Sequence, residues 1–269
     1  SFTEGPRWHE GRLYFSDFYT HRVLAVDGEG RVEVIATVPG QPSGLGWLPD
    51  GRMLVVSMLD RKLLRQEGDG RLVEHADLSK IATYHCNDMV VDTQGRAYVG
   101  NFGSDIESGN KLVKAKLAFV DTDGSVSVAA EDLAFPNGAV ITPDGKTLII
   151  GESFGRCLTA FDIADDGGLS NRRVWANLHP HIPDGICLDA EGAIWLADPA
   201  NHCVVRVAEG GDVLQKIEMG NGTFACMLGG EDRKTLFVCT AAGSGSKAEE
   251  RLTAKIEACE VRVPGVGCP

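Results

Sequence analysis

One phrase of sequence returns six times along this chain, and a chain that repeats one supersecondary unit six times has few folds open to it. The phrase is a small or polar residue, most often followed by glycine, then an apolar run, a turn with Asp or Gly, and a second apolar run. It reads Glu4-Gly5-Pro6-Arg7-Trp8 before Arg12-Leu13-Tyr14-Phe15, and Ser43-Gly44-Leu45-Gly46-Trp47 before Met53-Leu54-Val55-Val56. It continues as Asn87-Asp88-Met89-Val90-Val91, Asn137-Gly138-Ala139-Val140-Ile141 and Asp184-Gly185-Ile186-Cys187-Leu188. The sixth copy is degenerate, Thr223-Phe224-Ala225-Cys226-Met227 before Thr235-Leu236-Phe237-Val238. The second residues of the copies are 5, 44, 88, 138, 185 and 224, so the spacings are 39, 44, 50, 47 and 39.

A period near forty residues, with several short strands per unit, is the pattern of a β-propeller. Further strand-like runs such as Arg22-Val23-Leu24-Ala25-Val26 and Val32-Glu33-Val34-Ile35-Ala36 complete each unit. The expectation is a single all-β domain over residues 1–269, a six-bladed β-propeller with four antiparallel strands per blade. The sixth unit offers a third strand near residues 255–261 and little beyond it. Its outer strand is expected from residues upstream of Ser1, which would protect a sheet edge. The best helical candidate is the short stretch from Ser246 to Lys255.

Charge and composition narrow the partners. With 38 acidic against 26 basic residues the net charge is -12, which argues against nucleic acid or an anionic membrane as the main partner. No apolar run approaches the ~20 residues of a membrane helix, and Ser1-Phe2-Thr3-Glu4 does not read as a signal peptide. The eight cysteines form no CxxC pair, and several sit in apolar runs such as Phe237-Val238-Cys239. They are expected to be buried free thiols, which favours a reducing compartment, the cytoplasm.

Aligning the copies on their first residue gives Glu4, Ser43, Asn87, Asn137, Asp184 and Thr223. Rotational symmetry turns all six toward the channel at one end, and every one carries a side-chain oxygen. Two carboxylates close together in a partly dry channel repel unless something neutralises them. A divalent cation does so, and oxygen-only ligands suit a hard ion, Ca²⁺ first, with Mg²⁺ or Mn²⁺ also acceptable. Without His or Cys in the ring, a dedicated zinc site is disfavoured. Taken singly, such positions are explained as ordinary strand starts beside Asn-Gly or Asp-Gly turns. Four of them at repeat-equivalent places favour the ion.

These residues make the chain resemble the senescence-marker-protein (regucalcin) and gluconolactonase family, over essentially its whole length. The marks are Glu4-Gly5-Pro6-Arg7-Trp8, Asn87-Asp88 with Val91-Asp92 and Gln94-Gly95-Arg96, Pro136-Asn137-Gly138, and Pro183-Asp184-Gly185. The resemblance implies a six-bladed propeller with one divalent site, whose Glu, two Asn and Asp match Glu4, Asn87, Asn137 and Asp184. It implies a lactonase, with organophosphate hydrolysis known among related propellers. Many sugar-lactonase members carry Arg two residues before the first metal Asn, where this chain has His85. A less acidic or more apolar lactone is therefore expected.

The chemistry that follows is ester hydrolysis, with the ion polarising the lactone carbonyl and water attacking it. Asp184 is the candidate general base and His85 the second catalytic candidate. His85, Asp88 and Ser153 are the candidate substrate-binding residues. The Gly-x-Ser-x-Gly spelling occurs at Gly151-Glu152-Ser153-Phe154-Gly155, without the suitable partners of a serine hydrolase. Alternatives are a phosphotriesterase-like hydrolase, since a divalent ion polarises P=O as readily as C=O, and a non-catalytic cation-binding propeller. In an up-and-down blade the mouth is rimmed by residues 17–21, 57–60, 153–156 and 198–202. The long connections 103–116 and 241–254 are expected to flank it. His179-Pro180-His181 is expected to be a polar turn, and Trp8, Trp47 and Trp195 to be core.

Overall fold

The computed structural model describes residues 1–105, 108–245 and 252–267. Six antiparallel sheets stand around a central channel, five of four strands and the last, among the described residues, of three. The sequence gives each strand its two faces. In β2 (Arg12–Asp17) Leu13 and Phe15 go into the core, and in β3 (Arg22–Val26) Val23 and Ala25 do. Outer strands such as β4 (Val32–Thr37) show mostly exposed residues, as the rim of a propeller should.

Each blade's innermost strand holds the repeated phrase. These are β1 (Thr3–His9), β5 (Pro42–Trp47), β9 (Cys86–Val91), β13 (Pro136–Ile141), β17 (Ile186–Leu188) and β21 (Gly222–Gly229). Each touches the next, and β21 touches β1, so the ring closes. Sheet faces of neighbouring blades pack together. One cluster joins Leu13 and Phe15 of the first blade to Leu228, Leu236 and Val238 of the sixth. Trp195 is buried there, and Trp8 and Trp47 pack against core clusters, as expected of core tryptophans.

The glycine that follows four of the six ring residues is there for close packing and not for a turn. A Cβ on Gly138 would lie 2.4 Å from the Ile186 backbone nitrogen, and one on Gly185 would lie 2.5 Å from the Ala225 Cβ. Gly138 and Gly185 donate backbone hydrogen bonds to Asp184 and Phe224 in the following blades. The Asn-Gly and Asp-Gly pairs therefore mark where adjacent inner strands come closest. Register shifts fall at these positions in β1, β5, β13 and β21, bulges that re-aim the ring side chains.

The sixth blade pairs β21 with β22 (Thr235–Ala241) and β23 (Lys255–Glu260), so the third strand appears where the sequence placed it. Most of the helical candidate, residues 246–251, lies outside the described residues, and Lys255 belongs to β23. From Val261 to Gly267 the chain runs under the channel. Gly265 pairs with Asp189, and the Val266 amide donates to the Leu188 carbonyl at 3.1 Å. No helix among the described residues is long and apolar enough to cross a membrane.

Candidate functional site

The opposite end of the channel is open. Glu4 in β1, Asn87 in β9, Asn137 in β13 and Asp184, just before β17, line one cavity of about 660 Å³. Asn87 and Asn137 are 7% exposed, while Glu4 and Asp184 keep part of their surface toward the cavity. Burial pushes the Glu4 carboxyl well above the usual carboxylate range, and the nearby Asp184 and Asp88 push it further. Asp184 is raised in the same way, first by burial and against a hydrogen bond from Asn137. Two carboxylates and two amides converge here with no ammonium or guanidinium lining the cavity among the described residues.

That arrangement fits a hard divalent ion. Just below the ring, Arg7 donates to Asp88 at 2.6 Å and to the Met89 carbonyl at 2.7 Å. Glu4, Asp184 and Asp88 supply three negative charges and Arg7 one positive, leaving the charge that one divalent cation balances. The donors are all oxygens, as such an ion prefers.

The six ring positions are not equivalent in use. The Thr223 hydroxyl donates to the Cys203 carbonyl at 2.6 Å and accepts from the Asp198 amide at 2.9 Å, so it fastens blade to blade instead of facing the channel. Ser43 reaches the Asn87 side-chain oxygen only at 3.5 Å. Asp88 also departs from its expected role beside substrate. It does not line the cavity, and its carboxylate accepts from Arg7 and from the Met89 amide, tying the first blade to the third. Ser153 does line the cavity. Its hydroxyl donates to the Pro183 carbonyl at 2.7 Å and accepts from the Asn137 amide at 3.2 Å, which orients a ring residue.

His85 lines the cavity two residues before Asn87, its ring stacked on Tyr84 with centroids 4.0 Å apart. Burial holds its imidazole below the usual range. Phe102, Phe135 and Phe154 continue a run of rings outward from it, with centroid separations of 6.1, 4.8 and 5.1 Å. The turns after the second strands form the rim, as the topology required: Phe18, Met58, Phe154 and Pro199 all face the cavity. Gly243, Ser244 and Gly245, from the long connection of the sixth blade, face it too; residues 106–107 and 246–251 of the two long connections are outside the described set.

Residues 2–242 match the SMP-30/Gluconolactonase/LRE-like region family. The chain belongs to this family. It is 29% identical over 248 residues to a pentonolactonase of Haloferax volcanii, covering 90% of this chain and 82% of that protein. A 6-deoxy-6-sulfogluconolactonase of Pseudomonas putida is 26% identical across 99% of this chain and 93% of its own. A calcium-binding regucalcin of Agrobacterium tumefaciens superposes with a TM-score of 0.83 at 21% identity, covering all of this chain and 92% of that one.

Within this family member, sequence reasoning missed one cluster on the mouth face. His181 Nδ1 lies 2.7 Å from Asp198 Oδ2, and that oxygen also accepts from Asn201 Nδ2 at 2.7 Å. The 179–181 segment is thus a clamped corner and more than a polar turn. Cys203 stands beside the pair, close enough for the three to form a metal-ligand set. Burial pushes its thiol up to about 11, and the Asp198 carboxylate already accepts from Asn201 and pairs with His181. The seven described cysteines are free, and most are buried.

Proposed function

We propose that this protein is a metal-dependent lactonase acting on a small-molecule lactone, with one divalent ion, Ca²⁺ ahead of Mg²⁺ or Mn²⁺. The observation that carries the reading is the convergence of Glu4, Asn87, Asn137 and Asp184 at the floor of an open cavity. These four residues would hold the ion, which when bound polarises the ester carbonyl and stabilises the developing oxyanion. The names of the pentonolactonase and sulfogluconolactonase relatives support the same reaction class.

The chain's own residues supply the rest. Asp184 takes a proton from water as the water oxygen bonds to the carbonyl carbon. The ring C–O bond then breaks, the proton passes to the departing alkoxide, and a hydroxy acid leaves. Asp184 suits this task by position, since it lines the cavity beside the other three oxygen ligands and a water bound there would stand within its reach. Ser153 fixes Asn137, and the Arg7–Asp88 pair braces the floor from below. His85 stands at the wall, where an unprotonated ring nitrogen can hold the substrate or relay a proton.

The test is a lactone panel assayed on protein stripped with chelator and on the same protein reloaded with Ca²⁺. Hydrolysis should vanish on stripping and return on reloading. Equal rates in both states would contradict the proposal.

A further inference from the structure

The wall above the four oxygen ligands repeats around the ring as regularly as the ligands do. The residues two positions before the ring lie just ahead of each inner strand, at the corner where the chain enters it from the mouth. These are Phe2, Gln41, His85, Phe135 and Ile182 in the first five blades, and all five line the cavity. Each of the first four accepts, through its backbone carbonyl, a hydrogen bond from the residue that follows the second strand. The donors are Phe18, Met58, Phe102 and Ser153, at 2.9 to 3.1 Å. They line the cavity as well, and so does Pro199 at the matching place in the fifth blade.

Seven of the ten collar residues are apolar. No Lys or Arg lies in it among the described residues, and its polar members are Gln41, His85 and Ser153. Ser153 is already committed to Pro183 and Asn137. Outward from the collar, Leu59 and Phe154 remain 42% and 47% exposed, so the apolar surface continues to solvent. Phe135 and Gln41 share a left-handed backbone, with φ at +62° and +66°, at the corner that leads into the inner strand.

From this geometry we infer that the substrate is a lactone bearing an alkyl or aryl substituent and not a polyhydroxylated sugar lactone; the inference rests on the lactonase reading above. The ester group reaches the oxygen ring while the substituent lies against Phe135, Phe102 and Phe154. A polyol placed there would leave hydroxyls facing aromatic walls without partners, which costs binding. Each buried methylene should raise kcat/KM about fourfold.

The experiment compares glucono-δ-lactone, unsubstituted δ-valerolactone and δ-decalactone on the Ca²⁺-loaded protein. We expect kcat/KM for δ-decalactone to exceed that for δ-valerolactone by about tenfold or more, as two or more buried methylenes require, with glucono-δ-lactone lowest. Phe154→Ala, at an exposed position, should shrink the decalactone advantage several-fold. His85→Arg should shift preference toward glucono-δ-lactone. A second readout does not depend on turnover. Calorimetry should show the matching pentyl δ-lactam, which resists hydrolysis, binding more tightly than unsubstituted δ-valerolactam. Glucono-δ-lactone turned over as well as or better than δ-decalactone, or equal binding of the two lactams, would overturn the substrate class and leave the lactonase reading standing. Tighter binding of the pentyl lactam with no turnover of any lactone would overturn the lactonase reading.

Discussion

At its mouth the channel presents carboxylates and amides beneath a wide cavity; a few residues further along the same strands it is shut. The closed end is lined by Val90, Ile141, Leu188 and Leu228, with Val266 from the C-terminal segment and the Arg7 and Arg233 side chains, around a void of about 10 Å³. That is too small to hold a water comfortably. One set of strands therefore builds two environments. The packed end contributes burial free energy, and the open end holds like charges that oppose folding until a cation arrives. If this contrast is right, changes at the mouth alter chemistry and can even relieve strain, while changes at the closed end alter stability alone.

The sharpest separation comes from Asp184→Asn. It keeps a ligand oxygen but removes the charge and the basicity, so metal affinity should weaken and turnover at saturating metal should fall about 10²–10⁴-fold. The metal-free variant should melt at a higher temperature than the metal-free wild type at neutral pH, because Glu4 loses a repulsive neighbour. Near-wild-type turnover once metal saturates would make Asp184 a ligand only and pass the base role to His85.

Leu228→Ala probes the other end. Leu228 is fully buried, and its truncation should cost about 2–5 kcal/mol of stability in urea unfolding. The folded variant should keep its kcat/KM. A matching loss of activity would mean the two ends are coupled, and the contrast would fail.

A smaller effect links pH to metal. Burial raises both Glu4 and Asp184, and neighbouring carboxylates, Asp184 and Asp88 for Glu4 and Asp88 and Asp198 for Asp184, raise them further, so their protonated forms favour the native state. That stability is fully present below the ordinary carboxylate pKa of about 4 and is lost as pH rises through the raised values. Ca²⁺ offsets the repulsion only where the carboxyls are ionised. The increase in Tm on adding Ca²⁺ should therefore be small near pH 4.5 and should grow toward pH 7.5. An increase that does not change with pH would show that these carboxylates do not hold the ion.

The repeats made the architecture legible, because six copies of one phrase fix the number of blades and the order of strands. The ring was legible for the same reason, since equivalent positions share a direction. Three features were not. The glycines after the ring residues read as turn formers, yet close contact with the next blade is what requires them, and such a contact has no local signature. Asp88 looked like a site residue from its neighbour Asn87, but its partner Arg7 is 81 residues away. The Thr223 hydroxyl turns aside to bond backbone in the neighbouring blade, a choice that rotational symmetry alone could not reveal.

The central claim is that one divalent cation sits on the four ring oxygens, and a crystal structure grown in millimolar Ca²⁺ tests it most directly. The account predicts a single ion bound by Glu4, Asn87, Asn137 and Asp184, with oxygen distances of about 2.3–2.6 Å and no nitrogen or sulfur ligand. An ion held instead by His181, Asp198 and Cys203, or a ring left empty at that concentration, would contradict it.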